Sequence, residues 1–364
     1  MVSKGTPARH FGVEEEYLLL DAETGLPRDG VVPLIDALPG VQAELEYFES
    51  QLETATPVCS WASEAEETLS TFRSAASREA ANLGLVLAGT GLPPIGSDVP
   101  GTVTSKPRYQ TISRAMGNLT ARYYSTGTHV HVEVPSRDIG VEVMARMARW
   151  SPVLVALTAN SPISLGIPTG FASWRYLTTM QWPTAGYPPF FADGDDYDTV
   201  VGEFVRSGIL VDTGVVNWSI RLSDHYPTVE LRTADAQLNP RDTVAFAVLV
   251  RALVSRCITE TELGVLRRDP HLDLVKGAHW QAARNGLSSE IVHPLSGESV
   301  PAHAAVAAFV EYVQDELSSA GDLELVEEYL ARRRELGDPA TLQLQRFAEG
   351  GIHGLLDLYR EHSA

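Results

Sequence analysis

Apolar residues recur at helical spacing through "WASEAEETLSTFRSAASREAANLGLVLAG", where Leu69, Phe72, Ala76, Ala80 and Leu83 share one face. Ser63 and Glu66 stand in capping-box spacing at its start, so a helix is predicted there. Residues 138–159, "DIGVEVMARMARWSPVLVALTA", predict a second helix. "NPRDTVAFAVLVRALVSRCITETEL" predicts a third, with Asn239 as N-cap and Pro240 at the first helical position. Beyond about residue 300 the pattern stays helical to the end. Short β-like runs lie between: "VEEEYLLLD", "YFESQLETAT", "LVLAG", "THVHVEV" and "TVELRTA". Residues 161–200, rich in Pro, Gly and aromatics, read as a long irregular segment of the kind that forms binding loops or lids.

The strands carry an unusual polar content. Alternate side chains of a strand share a face, so Glu14 and Glu16 point one way while Val13, Glu15 and Tyr17 point the other. His129 and His131 pair likewise, as do Glu230 and Arg232; Glu49, Gln51 and Glu53 form a further set, with Glu46 just before it. One such pair is what the wet face of any antiparallel strand shows. If four strands line one concave face, several carboxylates would repel one another unless cations relieved them, and oxygen-rich clusters suit Mg²⁺ or Mn²⁺. The chemistry suggested is metal-assisted phosphoryl transfer, with Arg232 available to the developing charge. His-x-His also occurs in zinc hydrolases, which keeps a metal-dependent amide hydrolase as the alternative. "DGDD", Asp193 to Asp196, lacks calcium-loop spacing and reads as an exposed acidic turn. Phosphate-binding glycine loops and a nucleophile elbow are both missing.

Composition narrows the setting. With 364 residues, 44% hydrophobic, the chain can bury a large core, and we read it as a single catalytic domain over residues 1–364. A formal charge of −19 argues against a nucleic-acid or anionic-membrane surface. Cys59 and Cys257 are too few for a disulfide framework and read as buried free thiols in a reducing cytoplasm. The N-terminal residues lack the apolar stretch of a signal peptide, and no run reaches membrane-spanning length.

Taken in order, "GVEEEYLLLD", "ESQLETATPVC", "GTHVHV", "ANSP", "GFASWRY", "WPTAG", "YPTVELRTAD" and "ARNGL" span nearly the whole chain. Together they resemble the bacterial carboxylate-amine ligases of the glutamate-cysteine ligase type 2 family. The resemblance implies an α+β fold like the catalytic domain of glutamine synthetase: a curved, mainly antiparallel sheet making half a barrel, with helices on its outer face. It implies ATP and Mg²⁺ or Mn²⁺, phosphorylation of a carboxylate, typically the side chain of L-glutamate, and attack by an amine to form an amide. By that resemblance Glu14, His129 and Glu230 look like ligands of the metal bridging the ATP phosphates. Glu16, Glu46 and Glu53 look like ligands of one or two further metals near the acceptor carboxylate. His131 would face nucleotide or acceptor, Arg232 would hold the transferred phosphoryl group, and Arg221 would contact phosphate. Arg175 falls where the family binds the acceptor, and Arg108 and Arg284 are further basic candidates for substrate. A homodimer is implied as well.

One departure stands out: family members commonly have Trp-Trp-Asp where this chain reads Asn217, Trp218 and Ser219. Its consequence falls on acceptor or amine specificity more than on the phosphoryl step. A catalytically silent member that only binds nucleotide is disfavoured by the presence of Glu14, Glu53, Glu230 and Arg232.

Overall fold

A computed structural model of the chain describes residues 8–96 and 99–363. Its centre is β1 (Phe11–Asp21), and around it run β2 (Glu44–Leu45), β3 (Gln51–Ala55), β4 (Leu85–Ala88) and β5 (Gly127–Glu133). A small hairpin, β6 (Ile163–Ser164) and β7 (Ile167–Pro168), precedes β8 (Ile220–Leu222) and β9 (Thr228–Asp235), and a second hairpin pairs β10 (Glu290–Val292) with β11 (Ser299–Pro301). The main sheet runs β2-β3-β1-β5-β9-β8, open at both ends, with β4 paired to the C-terminal half of β1. Every pairing in it is antiparallel, which makes the fold α+β.

The helices are α1 (Val31–Asp36), α2 (Ala62–Asn82), α3 (Pro107–Met116), α4 (Arg137–Met147), α5 (Ser151–Thr158), α6 (Trp174–Thr179) and α7 (Gly194–Arg206). Then follow α8 (Pro240–Glu262), α9 (Leu272–Asn285), α10 (Ala302–Tyr312), α11 (Gln314–Ala320), α12 (Leu323–Leu336) and α13 (Pro339–Ser363), the last broken at Gly351. Among the described residues no helix is long and apolar enough to cross a membrane.

The central helix is α8. Asn239 accepts the Asp242 N–H at 2.9 Å and Pro240 takes the first turn, as the sequence predicts. From Asp242 to Val254 every residue of α8 is buried, the mark of a helix surrounded by protein. Against it pack α2, α4, α11 and α12, so the helical layer covers one face of the sheet.

Three local expectations are corrected. Helix α2 is capped at Trp61, whose N–H donates to Glu64 at 3.0 Å, so the box sits two residues before the Ser63/Glu66 spacing. Residues 138–159 form two helices, because Pro152 begins a new helical turn after Trp150. The 161–200 segment is largely ordered, holding the β6–β7 hairpin, α6 and the start of α7. Its acidic "DGDD" is the N-cap of α7, where Asp193 accepts the Asp196 N–H at 2.9 Å.

The face of β1 turned to the helices carries Val13, Glu15, Tyr17 and Leu19, all buried. Glu15 meets Arg73 of α2, whose Nη2 and Nε donate to its two oxygens at 2.6 and 3.1 Å. Arg73 also donates to the Leu238 and Gln237 carbonyls at 2.6 and 3.0 Å, and the hydroxyls of Tyr17 and Thr243 bond Glu15. Both charges of this pair are 1% exposed, so nearly every polar atom must find its partner inside the protein.

Candidate active site

The opposite face of the sheet gathers polar residues in cross-strand rows. Pairing of β1 with β3 sets Glu16 opposite Glu53, and β2 brings Glu44 beside Glu53. On the other side of β1, Glu14 stands opposite His129 of β5. One row further, His131 pairs with Glu230 of β9, which pairs with Arg221 of β8. Because directly opposed residues lie within side-chain reach, the rows become contacts. A β-bulge at Thr128/Val130 lets His129 drop out of the β5–β9 ladder.

These residues surround a cavity of about 270 Å³ lined by Glu14, Glu16, Glu46, Glu53 and His129 together with Arg108, Arg175, Arg221 and Arg232. Glu46 reaches it from a turn between β2 and β3 rather than from a strand, held by the Tyr109 hydroxyl at 2.6 Å. Glu49, expected on the same face as Gln51 and Glu53, lies in that turn and outside the cavity lining. Gln51 is spent on structure, accepting the Phe48 N–H at 3.1 Å and donating to the Ser125 carbonyl at 2.9 Å.

The cavity has two electrostatically different ends. At one, Glu230 accepts Arg221 Nε at 2.6 Å and a charge-assisted bond from Arg232. Burial pushes the Glu230 carboxyl upward, but the two guanidinium groups outweigh it and hold it well below the usual carboxylate range. Glu14 is treated alike: burial opposes ionisation, and the hydrogen-bonded His129 (3.2 Å) together with the nearby His131 imidazole, its Nε2 3.3 Å away, holds the carboxyl below its ordinary range. Burial, then the charge of Arg232, lowers His129 to about 4, so it is a neutral imidazole at pH 7. At the other end, burial and the neighbouring Glu46 push Glu16 up to about 8, although the Gly127 N–H donates to it at 2.6 Å. Burial and four surrounding carboxylates raise Glu53 well above its ordinary range, and burial raises Glu46. Fixed cations match the first end; the second has more negative charge than the protein itself neutralises.

Two observations bear on a metal. The ligand atoms of Glu14, His131 and Glu230 all lie within 4.8 Å of one another, in a group that includes His131 where the resemblance implied His129. His131 Nδ1 is engaged by the Thr228 hydroxyl at 3.1 Å, while its buried Nε2 has no hydrogen-bond partner among the described residues and lies 3.3 Å from Glu14. An imidazole oriented through one nitrogen, with the other bare among carboxylates, is the arrangement a metal ligand needs. The set Glu16, Glu46 and Glu53 is all oxygen, the donor type that hard divalent cations take.

Arg221 and Arg108 line the cavity with their guanidinium groups paired to protein carboxylates, and Arg284 lies outside it. The Nε and Nη2 of Arg221 donate to Glu230, and its Nη1 donates to the Gly214 and Val216 carbonyls, so its fork is committed to protein groups rather than open to phosphate. Arg108 makes a bidentate pair with Asp212 at 2.7 and 2.9 Å at the rim of the cavity. Arg284 is exposed at the end of α9, its guanidinium 5.6 Å over the Trp280 ring, and does not line the cavity. Arg175 does line it, from the first turn of α6, with Nε donating to the Ser125 hydroxyl at 2.9 Å. Sequence reasoning missed Tyr109 and Thr228, which orient Glu46 and His131; each is adjacent to or within a motif that was read, but a lone hydroxyl carries no spacing signal. Asn217, Trp218 and Ser219 line the cavity too.

Comparison with known proteins adds the following. The family model described as glutamate-cysteine ligase family 2 matches residues 10–357. A provisionally named glutamate-cysteine ligase 2 of Salinispora arenicola is 39% identical over 338 residues, covering 92% of this chain and 89% of that protein. The crystal structure of a glutamate-cysteine ligase from Francisella tularensis in complex with AMP superposes with a TM-score of 0.71 at 13% identity, covering 99% of this chain and 89% of that one. A bifunctional glutathione synthetase from Pasteurella multocida gives 0.69 at 14% identity over 98% of this chain, which spans about half (52%) of that protein. At such low identity the two structures speak for the fold.

Proposed function

The chain belongs to glutamate-cysteine ligase family 2, and on that premise we propose how its cavity carries the reaction. The protein is an ATP-dependent carboxylate-amine ligase that forms an amide bond. The observation that carries the assignment of residues is the convergence of Glu14, Glu16, Glu46, Glu53, His129 and Arg232 on one cavity, with His131 and Glu230 beside them. Carboxylates outnumber imidazoles there, which suits phosphoryl transfer better than a zinc hydrolase.

The proposed carboxylate substrate is L-glutamate, whose side-chain carboxylate is ionised at pH 7 and needs no base to act as a nucleophile. Its oxygen attacks the γ-phosphorus of ATP, the bond to the leaving ADP oxygen breaks, and an acyl-phosphate forms. The nitrogen of the amine, having lost a proton, then attacks the carbonyl carbon, and phosphate leaves. Arg232 stabilises the charge on the transferred phosphoryl group, and Arg175 holds the carboxylate substrate. Arg221 keeps Glu230 ionised, and neutral His129 bonds Glu14. Glu14, His131 and Glu230 would hold one Mg²⁺ or Mn²⁺ and Glu16, Glu46 and Glu53 a second; when bound, these cations neutralise phosphate oxygens.

The same reading takes residues 1–364 as one catalytic domain working in the cytoplasm as a homodimer. The amine is cysteine or another amino acid or amine, with Asn217, Trp218 and Ser219 among the groups that select it. The test is an ADP-release screen with Mg²⁺, ATP and L-glutamate against a panel of amines. ADP release that needs both glutamate and one amine supports the proposal. Amide turnover without ATP, or no ADP with any amine, overturns it.

A further inference from the structure

Behind Arg175 lies a buried acid that the reaction does not use. Asp235 ends β9 and is 1% exposed. Its Oδ2 accepts the Asn160 N–H at 2.8 Å and the Ser161 hydroxyl at 2.7 Å; its Oδ1 accepts the Ser173 hydroxyl at 2.9 Å. Arg175 Nη1 stands 3.7 Å from Oδ1. A carboxyl group buried this deeply is tolerated only with such a complement of donors, and losing one of them leaves a buried oxygen unpaired.

The partners of Asp235 lead to Arg175 by two routes. Ser161 Oγ, while donating to Asp235, accepts the Arg175 N–H at 3.0 Å. Ser173, while donating to Asp235, caps α6 by accepting the Tyr176 N–H at 3.2 Å, which fixes the turn that carries Arg175. Two glycines make room. A Cβ on Gly91 would stand 2.7 Å from Asp235 Cγ, and one on Gly127 would stand 2.3 Å from Arg175 Nη2. Each would fall inside contact distance, so the sequence leaves both the acid and the guanidinium space that a side chain would fill.

We infer that Asp235 is the positioning residue for Arg175, acting through Ser161, Ser173 and the first turn of α6, and so sets affinity for the carboxylate substrate without touching it. The inference rests on the reading of Arg175 as the group that holds that substrate. Arg175 itself contributes Nε to Ser125 and longer contacts from Nη1 to the Thr233 carbonyl and from Nη2 to the Arg232 carbonyl, so its final position depends on the buried anchor as well as on these bonds.

The experiment compares Asp235→Asn, Ser161→Ala and Arg175→Ala by steady-state ADP release and thermal melting. An asparagine keeps the shape but cannot accept at both oxygens, so Asp235→Asn should raise KM for glutamate about tenfold or more, with KM for ATP and kcat each within about threefold. Ser161→Ala should move the same parameter by a smaller factor, and it decides alone if Asp235→Asn is not recovered folded. If Arg175→Ala raises KM for glutamate while neither other variant does, Asp235 does not position it and the reading of Arg175 stands. If KM for glutamate and ATP rise together with a lowered melting temperature, the role is structural and the inference fails. If Arg175→Ala leaves KM for glutamate unchanged, both the reading and the inference fall.

Discussion

Three consecutive glutamates on one strand meet opposite fates. On the helix side of β1, Glu15 is matched by Arg73, Thr243 and Tyr17, and nearly every donor is accounted for. On the cavity side, Glu14 is held charged by two histidines, while Glu16 shares its surroundings with Glu46 and Glu53 and is left with a surplus of negative charge. The residue type is the same on the two faces, but Glu14 is more open than Glu15 and the partners differ. A buried charge with a complete set of fixed partners belongs to the fold, whereas one lacking a counter-charge waits for something that binds.

Substitutions on the two faces should therefore fail differently. Glu53→Gln and Arg232→Ala should each lower ADP release by on the order of a thousandfold, the first by removing a charged ligand of the proposed second cation and the second by removing positive charge aimed at the transition state. Glu53→Gln should do so with an unchanged or raised melting temperature, because a neutral isostere removes repulsion from a crowded acidic end. A large loss of stability in Glu53→Gln would blur the contrast.

On the other face Arg73→Met leaves Glu15 buried without its cation and should cost about 3–5 kcal/mol in denaturant unfolding. Adding Glu15→Gln to it should recover part of that loss. Additive losses would mean that the two side chains are not a coupled pair.

A further test is one of pH in protein stripped with a chelator. Glu16 is held near 8 in the fold against an ordinary value of 4.5, so across that window the folded state keeps a proton that the unfolded chain releases. Stability of the stripped protein should thus be greatest below about pH 4.5 as far as this group is concerned, and should fall as pH rises towards 8. Mg²⁺ or Mn²⁺ should flatten the dependence by taking the proton's place, with a melting temperature that rises with cation concentration. An identical pH profile with and without cation would contradict the acidic end as a cation site.

Much of this was legible in the sequence where periodicity decides the outcome. The alternation in "VEEEY" correctly put Glu14 and Glu16 on the cavity side of β1 and Glu15 on the other, and Asn239–Pro240 marked the start of α8. What stayed hidden depends on contacts distant in the chain. Nothing near Glu15 shows that Arg73, 58 residues away, will reach it. Glu46 came to the cavity from a turn, where alternation has no meaning, and Arg284 went to the surface because its place is set by how α9 packs. Arg221 was recognised as a basic group near the site, but the register of β8 on β9 gave its fork to Glu230.

The central claim is that the acidic cavity passes phosphate from ATP to a carboxylate. The most direct measurement uses L-glutamate with ¹⁸O in its side-chain carboxylate, ATP, Mg²⁺ and an amine that supports ADP release, followed by mass analysis of the inorganic phosphate. The account predicts one ¹⁸O atom in the phosphate for each ADP formed; ADP release with unlabelled phosphate would contradict it.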